Sequence, residues 1–370
     1  MFTNHLDGTS IEYEYDIHSR LVSSSETNSS DSSYINDYTI NDYDSQGRVV
    51  SSTNSIDYLV ASGSSSVNVG KSYAYNNNGT LKDERINCYA VPSTIIDYHY
   101  DCFNRVTKVD RRIDGFRYKT EYTFYRDSYD TNNLVSQVTN TINGSSTTYN
   151  YTYDTNGNIT KIVKGSSETT YTYDDLGQLI REQSGITTKN YTYDNAGNIT
   201  AIQTVITKPL GDNDFVTYAL QPLPGITTTT TIPLSYTDSQ WGDLLTSYNG
   251  TTITYDEIGN PLSYYNGSAY TFTWEGRNLV GATKGSTNMS FTYDDNGIRT
   301  SKTVDNVKHS YYLNGNLIVA EQWSDKLLAY LYDAAGSPIG MMFRKTSYDP
   351  DQWDVYWFEK NLQGERVKND

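Results

Sequence analysis

Cysteine is nearly absent from this sequence: Cys88 and Cys102 are the only two in 370 residues. Two cysteines cannot build a disulfide framework, and their spacing fits no zinc-binding pattern. Adjacent hairpins could bring them together as one bridge; otherwise they are ordinary sheet residues. Proline is scarce, at 8, which excludes a disordered Pro-rich linker. The four histidines (His5, His18, His99 and His309) form no H-E-x-x-H or H-x-H arrangement, so a metal hydrolase is not expected. There is no G-x-S-x-G elbow and no Gly-rich loop opening a helix to cradle phosphate. Basic residues are outnumbered, 28 against 44 acidic, for a net charge of −16. A nucleic-acid binder needs a basic footprint to displace counterions, so that class is excluded. No run approaches the roughly 18 apolar residues of a membrane helix. The opening, Met1 to Asp16, has neither a basic n-region nor an apolar h-region, so it does not read as a signal peptide. It reads like the middle of an array, and the chain is expected to be a fragment.

What is present is tyrosine. The 36 Tyr among only 36% hydrophobic residues mean that phenol rings supply much of the apolar contact area. Tyr, Thr, Ile and Val favour strands, whereas Asn, Asp, Gly and Ser favour turns, and these two groups dominate. Helical periodicity is essentially missing. The chain is expected to fold as sheet, with its acidity placed largely in turns, where it aids solubility.

A repeat is legible at the centre. Tyr151-Thr-Tyr153-Asp154-Thr-Asn-Gly157, Tyr171-Thr-Tyr173-Asp174-Asp-Leu-Gly177 and Tyr191-Thr-Tyr193-Asp194-Asn-Ala-Gly197 recur every 20 residues. Later units follow at Tyr236, Tyr255 (with Asp256 and Gly259), Trp274, Tyr293 (with Asp294 and Gly297), Tyr312 and Tyr332. Earlier units stand at Tyr15, Tyr43, Tyr75, Tyr100 and Tyr125, with wider and irregular steps. Each position has a physical role. Alternate residues of a strand share a face, so Tyr-x-Tyr places two rings on one side. Asp opens a tight turn by accepting backbone amides two residues on. Gly three residues later takes the positive φ of a bulged hairpin loop. Alternation then resumes, as in Asn158 to Lys164, and a second loop such as Gly165–Glu168 returns the chain to the next Tyr-x-Tyr. One repeat is one β-hairpin and the chain is a meander. The rings are expected to form the repeats' internal core, with hydroxyls reaching turn groups or solvent; a sugar-stacking platform is the competing use.

Departures mark the irregular parts. Ser19 and Asn104 stand in the place of the turn glycine, Asn tolerating positive φ, and Asn76 replaces Asp after Tyr75. Segments Ser23–Ser33 and Ser62–Ser66 read as Ser-rich loops. The insertion at 204–233 reads as a loop or an elongated hairpin. The expected organisation is a single array over 1–370: irregular repeats at 1–150, regular ones at 151–203 and 234–345, and a closing stretch at 346–370. Asp294–Gly297 resembles part of a calcium loop but lacks the twelve-residue ligand set and coincides with a repeat turn. No acid stands out from the repeat as one of a glycosidase pair. The expectation is of no catalytic residues, no metal and no cofactor.

The Y-x-Y-D-x-x-G unit resembles the YD repeat of bacterial RHS and wall-associated repeat proteins, the shell subunits of insecticidal toxin complexes, and the teneurins. Trp241–Gly250, Thr271–Leu279, Tyr293–Lys302 and Tyr312–Glu321 look like consecutive bacterial units, and the resemblance spans nearly the whole chain. It implies an all-β fold in which tandem antiparallel β-hairpins form a curved, spiralling sheet, part of a cocoon-like shell around a variable C-terminal toxin. Trp357–Gly364 looks like the approach to the RHS-associated core, most of which is missing, as is any toxin. Asp349-Pro350 shares its first two residues with the family's self-cleavage motif, lacks the glycine that follows there, and reads as a turn. The implied partner is the core and toxin segment of the same polypeptide; the implied location is secreted or at the bacterial cell surface. The alternative is an adhesive or carbohydrate-binding repeat protein with a cell-surface glycan as partner. About 14 hairpins, with strands roughly 4.8 Å apart, give a sheet on the order of 130 Å wide, expected to be open with two exposed edges.

Overall fold

The structure is a computed structural model describing residues 2–4, 9–28, 37–60, 63–88, 91–113, 115–126, 131–208, 226–265, 268–294, 296–314, 316–345, 353–358 and 362. Every regular element among the described residues is a strand, and the strands form long antiparallel sheets. Among the described residues, no helix is long and apolar enough to cross a membrane. Asp349-Pro350, residues 209–225 of the insertion, His5 and all but Trp357, Phe358 and Leu362 of the closing stretch Trp357–Gly364 lie outside the described residues.

The chain divides into two compact units: Met1–Tyr122 with Thr139–Ser146 and Asn288–Asp370, and Thr123–Val138 with Thr147–Thr287. In the first unit the early strands pair in chain order, for example Gly63–Tyr75 with Leu81–Cys88, and that strand with Val91–Tyr100. The late strands do the same from Thr287–Tyr293 to Asp354–Trp357. Early and late stretches share one core: Ile86, Ile96 and Val109 pack with Ala329, Leu331, Ile339 and Met342. Ile96 and Met342 are fully buried, each contributing about 1.5–3 kcal/mol of transfer free energy.

The second unit is a meander of short hairpins running from Tyr149 to Lys284. Among the described residues its buried apolar side chains are few, Val138, Tyr149, Tyr151, Ile253 and Ala282, and most strand positions are half-buried. Backbone ladders and turn chemistry therefore carry a larger share of its order than apolar burial does.

Two stretches expected as loops are strands. Ser23–Asn28 continues the strand Leu21–Asn28, with Ser23 opposite Ile40 and Ser24 opposite Thr39. Gly63–Ser66 opens the strand Gly63–Tyr75, with Ser64 opposite Leu59. Serine has weak strand preference, and pairing with a neighbouring strand overrides it. In the insertion, Ala201–Lys208 pairs with Ile226–Pro233. The return loop is shorter than Gly165–Glu168: Lys164 pairs with Ser167, leaving the two-residue turn Gly165-Ser166 with Gly165 at φ 57°.

Candidate functional site

The repeated unit is the site on which any function of this chain must be built. In the second unit, Asp154 Oδ1 accepts the amides of Asn156 and Asn158, both at 2.9 Å, and Oδ2 accepts the Asn158 side-chain amide at 3.0 Å. The Asp154 amide donates to the Asn158 carbonyl, and the Gly157 amide to the Asp154 carbonyl. A β-bulge at Thr152/Tyr153 accompanies the turn, and Gly157 takes φ 86°. The same pattern recurs at Asp174–Gly177, Asp194–Gly197, Asp256–Gly259 and Asp294–Gly297. Where the sequence departs, the geometry holds. Ser19 and Asn104 take φ 61° and 62°, and Asn76 donates and accepts across its turn as Asp does.

Protonation follows from this wiring. The Asn158 side-chain amide, then the Asn158 and Asn156 backbone amides, hold the Asp154 carboxyl below its ordinary value. Asn198 does the same for Asp194. In early repeats an arginine takes over the role of Asn. The Arg20 and Arg48 amides and guanidiniums lower Asp16 and Asp44. Each guanidinium also lies over a tyrosine of the next repeat, Arg20 over Tyr43 at 4.6 Å and Arg48 over Tyr75 at 4.3 Å.

The second tyrosine of each unit joins it to its neighbour. The Tyr173 hydroxyl donates to the Ile159 carbonyl at 2.9 Å, Tyr193 to Leu179 at 2.7 Å, Tyr153 to Val135 at 2.8 Å and Tyr255 to Leu245 at 2.6 Å. Tyr43, Tyr75, Tyr100 and Tyr332 do likewise with Leu21, Val49, Leu81 and Ile318. Trp274 replaces the phenol with its indole N–H, which donates to Pro261 at 2.6 Å; its turn is cut to Gly276-Arg277. Tyr125 reverses direction, donating to Tyr151, with its ring edge-on to Tyr153. Tyr293 instead receives the Arg299 guanidinium. Burial pushes the Tyr153 hydroxyl up to about 12, with Tyr151 and Tyr125 adding to it. The Tyr153 hydroxyl is therefore a hydrogen-bond donor at any physiological pH.

The first tyrosines reveal residues that the sequence reading passed over. Glu84, Glu182 and Glu321 each stand nine residues after the second tyrosine of their repeat (Tyr75, Tyr173 and Tyr312). Each accepts the hydroxyl of the next repeat's first tyrosine: Tyr98 at 3.4 Å, Tyr191 at 3.3 Å and Tyr330 at 3.1 Å. The recurrent nine-residue offset was the available signal. Tyr151 and Tyr171 lack a glutamate at the corresponding place, where Leu134 stands nine residues after Tyr125 and Ile162 nine after Tyr153.

Glu84 is the most enclosed of the three. It is fully buried, 3.6 Å from the Lys71 ammonium, and accepts the Ala334 amide at 2.9 Å; Lys71 in turn donates to the Tyr332 carbonyl at 2.6 Å. A late repeat turn is thereby fixed on an early strand of the same unit. Burial pushes the Glu84 carboxyl up against the opposing pull of Lys71 and the Ala334 amide. Glu321 is met by His309 Nδ1 at 2.7 Å and by Lys302 at 3.7 Å, and His309 stacks on Trp323. Cys102 is a free, exposed thiol in the Asp101–Asn104 turn, so it is not bridged to Cys88. Among the described residues, no group of three or more His, Cys, Asp or Glu is placed to hold a metal ion.

Comparison with known proteins gives a sequence match to the RHS Repeat family over residues 129–168 and 153–185. No curated protein matches the sequence. Among solved structures, TcdB2-TccC3-TEV and TcdB2-TccC3 are similar at 13% identity and TM-score 0.43, and TcdB2-TccC3-Cdc42 at 13% and 0.40. Each match covers 99% of this chain and 22%, 23% and 22%, respectively, of the other, so the chain spans less than a quarter of their length.

Proposed function

We propose, from the premise that this chain belongs to the RHS-repeat proteins, that it is a structural scaffold without enzymatic activity, one part of a shell that encloses and delivers a C-terminal toxin. The observation that carries this reading is the tyrosine ladder. At the recurring repeat positions, the side chains best suited to chemistry or recognition, phenols and carboxylates, join one hairpin to the next. A wall made this way is continuous and uniform, which is what enclosure requires and what a localised active site does not. The carboxylates of the repeat turns are likewise satisfied by their own backbone amides.

The test is to read the coding frame past Asp370 and to produce the protein with whatever follows. A C-terminal domain that resists protease and stays inactive within the intact protein, but becomes active when freed, supports the shell. A freely digestible or absent C-terminal domain, together with saturable binding to a glycan array, would replace it with the adhesive reading.

A further inference from the structure

The strand Ile226–Ser235 is paired along one side over most of its length. On its other side, among the described residues, only Leu234 and Ser235 meet a strand, opposite Tyr248 and Ser247. Which backbone groups face that open side follows from the ladder. The Thr207 amide donates to Ile186, so Thr207 faces the strand Thr187–Tyr193. Antiparallel neighbours alternate, so Ile206, Thr204 and Ile202 face the other way, toward their partners Thr228, Thr230 and Ile232. Thr227, Thr229 and Thr231 therefore direct their N–H and C=O groups outward. Pro233 fixes the phase independently: it lies on the same outward set, and its carbonyl accepts the Asn249 amide at 2.9 Å. Proline also ends the open stretch, having no N–H to offer.

An open edge is normally blocked by lysine, proline, a bulge or an inward-pointing charge. The run Ile226-Thr-Thr-Thr-Thr-Thr-Ile232 holds none of these, and Ile226 to Thr231 are exposed. It is also uncharged in a chain of net charge −16. A partner read by charge would find nothing here to read, whereas a second acidic copy meets no local repulsion. The pattern is symmetric about Thr229. An antiparallel copy sets Thr227 against Thr231 and Thr229 against itself, and every outward N–H then faces a C=O.

We infer that Thr227–Thr231 is a self-association edge, at which a second copy of this chain adds its own Thr227–Thr231 antiparallel about a two-fold axis through Thr229. The contact is isologous and short, with Thr–Thr cross-strand pairs on both faces, and it forms a reversible dimer rather than an obligate one.

Sedimentation of the whole chain across a concentration series tests this, with Thr229→Pro and Thr229→Lys as variants. The first removes an outward N–H that no ladder among the described residues uses; the second places two ammonium groups across the axis and leaves the backbone unchanged. The expected result is a monomer–dimer equilibrium in the wild type, weakened about tenfold or more in both variants. Backbone-amide exchange in dilute protein should be fast at Thr227, Thr229 and Thr231 and slow at Thr228 and Thr230, with Thr229 slowing as concentration rises. A monomer at every concentration, a dimer indifferent to both substitutions, or slow exchange at Thr229 in dilute protein would each overturn the inference.

Discussion

The hydroxyl of Tyr173 lies 2.9 Å from the carbonyl of Ile159, the residue that resumes the strand after the preceding turn. The same phenol thus serves the sheet twice, its ring on the strand face and its oxygen on the neighbouring repeat. Tyr173→Phe keeps the ring and leaves that carbonyl without its donor, at a cost of about 1 kcal/mol. Tyr193→Phe should cost about the same, because Tyr193 donates to Leu179 in the same way. Urea midpoints of the two variants and the wild type are the check. Unchanged midpoints would mean that water replaces the phenol without loss and that the ladder holds nothing together.

Gly177 takes φ 79°, and a Cβ built there meets nothing within 4 Å. The cost of a side chain at this place is therefore one of backbone conformation alone. Gly177→Val should lose about 2 kcal/mol or more, since positive φ is poorly open to a β-branched residue. Thr172→Val, on an exposed strand position two residues before the turn aspartate, should stay within about 0.5 kcal/mol of wild type. Gly177→Asn should recover most of the valine loss, as Asn104 occupies φ 62° in the corresponding turn. Equal stability of the valine variants would refute the turn assignment.

The turn chemistry was legible because it is local: Asp, Gly and their spacing dictate the bulge, and Ser19 and Asn104 announce themselves as substitutes at the same offset. Strand extents were less so, since Ser23–Asn28 and Gly63–Ser66 gain their order from partners rather than from propensity. The docking of Ala334 on Glu84 was not legible at all. The two residues are 250 positions apart, and similar repeats give no indication of which pair will meet. The hydroxyl destinations fall between these cases. Tyr-x-Tyr told that two rings share a face, but only the register decides that one oxygen reaches a carbonyl and the other a glutamate.

Two groups of carboxylates should give the chain opposite responses to acid. Asp154 and Asp194 are held below the ordinary 3.8, so their stabilising contribution is present above that value and is lost as pH falls through their folded pKa. Glu84 is raised above its ordinary 4.5, so the folded state binds its proton more readily and gains stability as pH falls toward that value. As pH falls from neutral toward 4.5 the first unit should become more resistant to urea, and acid below 3.8 should weaken both units. Glu84→Gln retains an acceptor for the Ala334 amide but cannot titrate, and should abolish the first effect while sparing the second. A wild-type midpoint that is flat over the upper range would show that Lys71 compensates the burial of Glu84 fully.

Gly259 differs from Gly177 in one respect. Both sit at positive φ in repeat turns, but a Cβ at Gly259 would lie 2.5 Å from Trp241 Cζ3 and 3.1 Å from its Cη2. Trp241 is held in place by Asp238, whose carboxylate accepts the Gln240 and Trp241 amides, and by the bond from the Asn198 side chain to the Gly242 carbonyl. These bonds fix the backbone at Trp241, so the indole must leave its rotamer to admit a Cβ. Gly177→Ala should therefore cost about 1 kcal/mol for conformation, and Gly259→Ala that amount plus about 1–3 kcal/mol for displacing the indole. In a Trp241→Ala background the second term disappears, and Gly259→Ala should cost no more than Gly177→Ala. The double-mutant cycle read by urea denaturation isolates this coupling from the shared backbone penalty. Additive losses would mean that Trp241 does not rest on the turn, and that the close approach of indole and glycine has no part in holding the segment 238–244 to the repeats.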